Sequence, residues 1–218
     1  MSVMGINHHL TDALLMSYAA GTLEEGFSLV VATHISLCDE CRARLESFEA
    51  VGGTLVENTE AVEMADDALE ATLALIDAAP EVLPPVRTAS TNSVFPKPLQ
   101  DYVGGDLDAV KWRNAGGGVQ QAVLKTDSGS KVRLLSIPGG TAMPDHGHRG
   151  LELTLVLKGA FEDEDGLFAR GDIEVANEDL HHTPIAKEGE PCICLAATDA
   201  PLRFKGFIPR IAQPFLGI

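Results

Sequence analysis

Residues 140–159 read "GTAMPDHGHRGLELTLVLKG" and place His146, His148 and Glu152 between two glycines. All three positions are even, so on a continuous β-strand their side chains point to the same face. Imidazole and carboxylate groups that converge on one face can bind a single metal ion. The stretch therefore predicts a β-sheet domain that carries a metal site on one of its strands.

The spacing of this stretch is also that of a known motif. Gly140-x5-His146-x-His148-x3-Glu152-x6-Gly159 reproduces the first motif of the cupin family in full. The region from residue 99 to residue 218 resembles a cupin domain in its pattern as well, with clustered glycines and short alternating runs such as "VRLLSI", "DIEVA" and "CICLAAT". Such runs, separated by turn residues, are typical of a β-sandwich or a small barrel.

The second cupin motif supplies the fourth ligand of this site. Aligned on "GDIEVANEDLHH" from Gly171, it places the motif histidine at His182. Asn177 and Asp179 stand where the family usually has proline and glycine, so the register between His181 and His182 stays open, and we prefer His182. Three imidazoles and one carboxylate suit zinc, manganese, iron, nickel or copper, and the ligand types do not choose among these metals.

Two further features of this region are interpreted as structural. Cys192 and Cys194 share a strand face, and their close spacing is awkward for an unstrained disulfide, so we favour small core residues over a redox pair. The acidic run "FEDEDG", residues 161–166, is interpreted as a solvated hairpin turn.

The first 79 residues contain no proline and read as helices. We expect Thr11 to cap the first helix, Thr22 and Glu25 to form a capping box for the second, and a third helix to run from Asp39 to the weak point at residues 52–53. An amphipathic fourth helix is expected over residues 59–79. This helix could pack in the core or bind a partner, and the sequence favours the core position.

Five prolines interrupt every periodic pattern between residues 80 and 98, which indicates a linker. The sequence therefore predicts a helical domain over residues 1–79, a linker over residues 80–98 and an all-β domain over residues 99–218.

A second candidate metal site lies in the helical domain. "HISLCDECRAR", residues 34–44, places His34, Cys38 and Cys41 on one helix face. Imidazole and thiolate are ligands that tetrahedral zinc prefers, and a structural zinc site needs a fourth ligand. The only histidines upstream are His8 and His9.

These residues carry a further resemblance. An acidic helical domain with "HISLCDEC" and a histidine at its first helix, followed by a cupin domain, resembles the ChrR type of zinc-binding anti-sigma factor. The resemblance implies that His9 is the fourth zinc ligand beside His34, Cys38 and Cys41. It implies an α+β multidomain fold, in which a four-helix anti-sigma domain precedes a jelly-roll barrel.

The resemblance also implies a partner and a signal. The partner is an extracytoplasmic-function, or group IV, sigma factor, bound 1:1 by the helical domain. The signal is an oxidant, singlet oxygen or organic peroxide, sensed by the cupin domain. The protein would then be a regulator and not an enzyme. The alternative is a metal-dependent cupin oxygenase or isomerase with a helical accessory domain.

Charge and composition favour the hypothesis that the protein is a regulator. The formal net charge is -16, and residues 1–78 hold 14 acidic against two basic side chains. Such a surface repels DNA and attracts a basic protein that binds DNA, so no direct nucleic acid partner is expected. We find neither a signal peptide nor an apolar run of about 20 residues, and we therefore expect a cytoplasmic protein with no membrane partner.

Overall fold

The computed structural model describes residues 5–80, 93–127, 129–201 and 203–204. Within these ranges the chain forms five α-helices: α1 (Asp12–Ala19), α2 (Glu25–Ile35), α3 (Asp39–Glu57), α4 (Ala68–Ala78) and α5 (Lys97–Val103). No helix in the described part of the chain has the length and apolarity needed to cross a membrane.

The starts of the first three helices follow from their capping residues. The Thr11 hydroxyl accepts a hydrogen bond from the Leu14 N–H at 3.3 Å, which confirms the predicted cap of α1. The predicted capping box of α2 is wrong, because α2 begins after Glu24 without a side-chain cap. The Thr22 hydroxyl instead donates to the Ser17 carbonyl. Cys38 caps α3, and its Sγ accepts from the Cys41 N–H at 3.4 Å.

The later part of the helical region differs from the prediction. α3 does not end at Gly52 and Gly53 but continues to Glu57. Glycine in a helix interior costs only about 1 kcal/mol, and neither residue takes the left-handed conformation that ends a helix. α4 begins at Ala68 rather than near residue 59, and none of its residues is buried. The expectation that it belongs to the core is wrong.

After α5 and a short 3-10 helix (Leu107–Ala109), the described chain forms antiparallel strands. Their bounds are β1 (Arg113–Gly116), β2 (Val119–Leu124), β3 (Lys131–Ile137), β4 (His146–Gly147), β5 (Glu152–Lys158), β6 (Ala160–Asp163), β7 (Gly166–Ala169), β8 (Ile173–Ala176), β9 (His181–His182), β10 (Ile185–Ala186), β11 (Cys192–Thr198) and β12 (Arg203–Phe204). One six-stranded sheet has the order β1-β2-β3-β11-β5-β8. Two three-stranded sheets have the orders β10-β6-β7 and β12-β4-β9.

The helices and the large sheet share one hydrophobic core. Val30 and Val31 of α2 belong to the same buried cluster as Leu155 of β5 and Leu195 of β11. Gly26 of α2 lies so close to β3 that an added Cβ would meet the Val132 side chain at 2.6 Å. Because burial of apolar surface stabilises both partners, the helical region and the sheet region support each other.

The end of the predicted linker belongs to this packed structure. Residues 81–92 lie outside the described residues, but Phe95 is buried. The Asp106 carboxylate accepts hydrogen bonds from the backbone N–H groups of Val94 and Phe95, both at 2.9 Å. α5 begins at Lys97, at the end of the predicted linker, and packs on α2. Because it continues to Val103, the prediction of an all-β region from residue 99 is wrong at its start.

Candidate metal centres

The described structure brings metal-ligating side chains together in three groups, of which two lie at the predicted sites; the third, Asp163, Glu174 and His182, shares His182 with the second. In each, one ligand atom per residue lies within 4.8 Å of the others. We call His9, His34, Cys38 and Cys41 the helical cluster, and His146, His148 and His182 the sheet cluster. They coincide with the two predicted metal sites, except that Glu152 is outside the sheet cluster.

The helical cluster is assembled from three segments. His9 lies in the extended chain before α1, His34 in the last turn of α2, and the cysteines at the start of α3. His9 Nδ1 is 3.3 Å from the Cys38 Sγ and 3.7 Å from the Cys41 Sγ. The other three side chains are fully buried or nearly so. A divalent ion there would tie the N-terminal segment to the α2–α3 junction.

His34 is held with one ring nitrogen free for a metal. Its Nδ1–H donates to the Gly171 carbonyl at 2.9 Å, and its Nε2 is buried without a hydrogen-bond partner. An unsatisfied buried polar atom is costly, and a metal ion would satisfy it. Burial also lowers the pKa of His34 to about 4, so the imidazole is neutral and able to ligate at neutral pH.

The thiols fit the same ion. Burial raises the pKa of Cys41 to about 11, so without a cation the sulfur stays protonated. A coordinated divalent ion would deprotonate it and compensate the buried charge. Two thiolates and two imidazoles form a closed tetrahedral donor set of the kind that holds structural zinc.

His8 is turned away from this cluster. Its ring stacks on Phe168 with centroids 4.1 Å apart, and its Nδ1 lies 3.5 Å from the Asp172 carboxylate. Spacing alone left His8 and His9 as equal candidates, and the structure brings only His9 to the cysteines.

The sheet cluster follows from strand pairing. His146 of β4 lies directly opposite His182 of β9 in the antiparallel register. Their Nε2 atoms are 3.2 Å apart, and the Nε2 of His148 is 3.3 Å from that of His182. All three residues are buried. The neighbouring His181 is exposed and faces the other side of β9, against Gly147.

Glu152 lies beside this cluster. Its Oε2 is 3.5 Å from the Nδ1 of His148, the nitrogen on the far side of that ring from His182, and its Oε1 accepts from the Thr154 hydroxyl at 3.1 Å. Three convergent imidazole nitrogens can hold a divalent transition metal and leave a position open for a further ligand. We keep Glu152 as the proposed fourth ligand.

Two carboxylates next to the cluster were missed by sequence reasoning. The Nδ1 of His182 lies 2.8 Å from Asp163 Oδ2 and 3.0 Å from Glu174 Oε1. Burial works to lower the pKa of His182, but these two carboxylates outweigh it and raise that pKa to about 9. Burial raises the pKa of Glu174 to about 7. Carboxylates at the outer nitrogen of a ligating histidine fix its orientation.

Asp163 corrects the interpretation of the acidic run. β6 and β7 do form a hairpin across residues 163–166, as predicted. The Asp163 side chain, however, is fully buried against His182 and not solvated. Nothing in the run "FEDEDG" distinguishes this aspartate from its exposed neighbours.

Cys192 and Cys194 pack in the interior of β11, as the core interpretation predicts. Their Sγ atoms are 3.5 Å apart, and both thiols are free.

Comparisons with known proteins agree with this architecture. A family model described as the ChrR cupin-like domain matches residues 100–200, so the sheet region is a cupin-like domain, here joined to N-terminal helices. Over 215 residues the chain is 57% identical to the anti-sigma-E factor ChrR of Cereibacter sphaeroides, covering 99% of this chain and 100% of that protein.

A solved structure extends this likeness to the fold. The crystal structure of Rhodobacter sphaeroides SigE in complex with the anti-sigma ChrR matches at 56% identity with a TM-score of 0.78. The match covers 89% of this chain and 99% of the other. The chain therefore belongs to the ChrR family of anti-sigma factors, and its fold is α+β, with a helical region and a C-terminal cupin. That family is regulatory, so the enzyme alternative is set aside.

Proposed function

We propose that this protein sequesters a group IV sigma factor in a 1:1 complex through its helical region. In this proposal the helical cluster binds zinc and shapes the binding surface. The cupin binds a second metal through His146, His148, Glu152 and His182, and it releases the sigma factor when an oxidant such as singlet oxygen or organic peroxide reaches it. The working location is the cytoplasm.

The observation that carries the proposal is an unpartnered apolar surface on residues 51–78, which we call the α3–α4 arm. Nine of the 13 large hydrophobic side chains exposed in the described structure belong to it: Val51, Leu55, Val56, Val62, Met64, Leu69, Leu73, Leu75 and Ile76. Exposed apolar surface of this extent marks a protein interaction site. Amphipathic helices bind partners by laying such a face into an apolar groove.

The charge of the arm indicates the kind of partner. No lysine, arginine or histidine occurs in the arm, whereas seven aspartates and glutamates do. An acidic and apolar arm is complementary to a basic surface with apolar grooves. A sigma factor, which must contact DNA, has that chemistry, and the related ChrR was crystallised with SigE.

The helical cluster supports the same proposal because it lies at the root of the arm. Cys38 and Cys41 begin α3, and α3 leads directly into the exposed segment. A metal that joins His9 and His34 to these cysteines would fix the direction in which α3 leaves the core.

The test replaces apolar side chains of the arm. Leu69→Ser with Leu73→Ser should weaken binding of a group IV sigma factor from the same organism by at least about tenfold, because each leucine would lose its burial in the complex. Binding is measured by titration of the full-length chain against the labelled sigma factor. Since Leu69 and Leu73 are 70% and 51% exposed in the free chain, its thermal unfolding should not change.

Val123→Ser is the matched control. Val123 is also apolar and 60% exposed, but it lies on β2, away from the arm. Its replacement should leave sigma binding unchanged. Equal affinities for the unchanged chain, the arm variant and the control would contradict the proposed binding surface.

A further inference from the structure

The turn between β7 and β8 belongs to the cupin, but it contacts the parts of the helical cluster that carry the two histidines. Its residues Gly171 and Asp172 lie at least 130 positions from the helical cluster in sequence. They contact the cluster at two separate points, one at His34 and one at the segment that carries His9.

The first point is His34. The Gly171 carbonyl accepts the Nδ1–H of this buried ring at 2.9 Å. This hydrogen bond fixes the ring's tautomer and directs Nε2 at the other ligands. Gly171 has a φ of +93°, and an added Cβ would meet the Ile6 side chain at 2.6 Å. Glycine is required here because the N-terminal segment lies directly on the turn.

The second point is the segment that carries His9. The Asp172 side chain is 1% exposed, and its Oδ1 accepts from the backbone N–H of Asn7 at 2.6 Å and of His8 at 2.9 Å. Its Oδ2 accepts from the Ala169 N–H at 2.8 Å, which anchors the carboxylate within the cupin. The next residue of the held segment is His9.

We propose that Asp172 and Gly171 position His9 and His34, so that docking of the cupin strengthens metal binding by the helical cluster. Displacement of this turn would free both histidine segments at once and leave only the cysteines in place. The inference rests on metal binding by the helical cluster, and it gives the cupin a physical route to the sigma-binding part of the protein.

The test uses Asp172→Asn in the full-length chain loaded with Co²⁺. Thiolate-to-cobalt charge transfer in the near ultraviolet reports the helical cluster alone, because the sheet cluster offers only nitrogen and oxygen ligands. An asparagine must turn its NH2 toward one of the two sets of backbone N–H donors, so at least one hydrogen bond is lost. We expect Co²⁺ affinity, measured by competition with a chelator, to fall about 10-fold to 100-fold.

Asp199→Asn is the matched control. Asp199 also accepts a hydrogen bond from a backbone N–H, that of Leu151 at 2.9 Å, but it follows β11, and this bond holds neither the β7–β8 turn nor a segment that carries a ligand of the helical cluster. Its replacement should leave the charge-transfer band and the competition unchanged.

A second variant covers the case in which Asp172→Asn fails to fold. Asn7→Pro removes one N–H donor to Asp172 at an exposed position and leaves the cupin intact. It should also accelerate Co²⁺ release from the helical cluster. Wild-type affinity in every folded variant would overturn the inference. If the unchanged chain shows no thiolate-to-cobalt charge-transfer band, both this inference and the helical metal site are wrong. Sigma-factor binding is measured in a separate titration, so the two outcomes can be distinguished.

Discussion

His34 is a buried neutral histidine, and this makes the metal-free protein sensitive to acid. Its pKa is about 4 in the folded chain, against 6.5 for an ordinary histidine. Between these two values the unfolded chain binds a proton that the folded chain does not. Stability from this group is therefore complete above pH 6.5 and is lost as the pH falls toward 4.

We predict that the free energy of unfolding of the chelated protein falls by about 3 kcal/mol between pH 6.5 and 4 on account of His34. Urea unfolding at a series of pH values measures it. His34→Asn carries no titrating group, and the difference between the two pH profiles isolates the contribution. Parallel profiles would show that His34 is not held neutral.

Asp163 orients His182 from outside the sheet cluster. Asp163→Asn should lower the metal affinity of that cluster about tenfold, because the ring loses a charged partner at Nδ1. Chelator competition measures the loss. Asp165→Asn makes the same change two residues further along, at an exposed position, and should have no effect. Similar losses of metal affinity in both variants would indicate that the negative charge matters in general and not the orientation of His182.

Metal ligands were more predictable from the sequence than their supporting residues. His34, Cys38 and Cys41 lie within eight residues of one another, so local sequence reveals them. The prediction that they share one helix face is wrong, because α2 ends at Ile35 and Cys38 caps α3. Asp163 and Asp172 act across strands and across regions of the chain. Their roles depend on strand register and on docking, which no local pattern encodes.

α3 continues through two glycines that the sequence interprets as its end. No atom lies within 4 Å of a Cβ added at Gly52 or Gly53, and neither residue has a positive φ. Alanine at either position should therefore stabilise α3 by about 0.5–1 kcal/mol through lower unfolded-state entropy. Chemical denaturation followed by circular dichroism measures the change.

The same substitution in α2 should have the opposite effect. A Cβ at Gly26 would lie 2.5 Å from Ser130 Oγ and 2.6 Å from Val132 Cγ2, so Gly26→Ala must separate α2 from β3. Destabilisation by Gly52→Ala, or no change for Gly26→Ala, would contradict the described packing of these helices.

The existence and type of the first four helices could be predicted, but α5 and the environment of α4 could not. Its apolar spacing is that of any amphipathic helix, and such a pattern suits a core position and a binding face equally. Only the packed structure reveals that no described part of the chain covers Leu69, Leu73 or Ile76.

The chain as a whole is electrostatically divided, with most of its negative charge before residue 79. We predict that the association rate with the sigma factor falls roughly tenfold when the salt concentration rises from low to high, because screening removes the steering. Stopped-flow mixing across a salt series measures it.

Charge neutralisation on the arm tests the source of this steering. Replacing Glu63, Asp66, Asp67 and Glu70 by their amides should flatten the salt dependence. Neutralising four exposed acidic residues of the cupin, Glu164, Asp165, Glu178 and Asp179, should leave it nearly unchanged. Equal effects of the two sets would assign the steering to net charge and not to the arm.

The central claim is that a metal held by His9, His34, Cys38 and Cys41 shapes the surface that captures the sigma factor. The most direct test measures the sigma-factor affinity of two full-length variants. One carries Cys38→Ser and Cys41→Ser, and the other carries His146→Ala and His148→Ala. We predict that the serine variant loses the helical metal and its sigma binding, and that the histidine variant keeps both. A serine variant that lacks the metal yet binds the sigma factor with unchanged affinity would contradict the account.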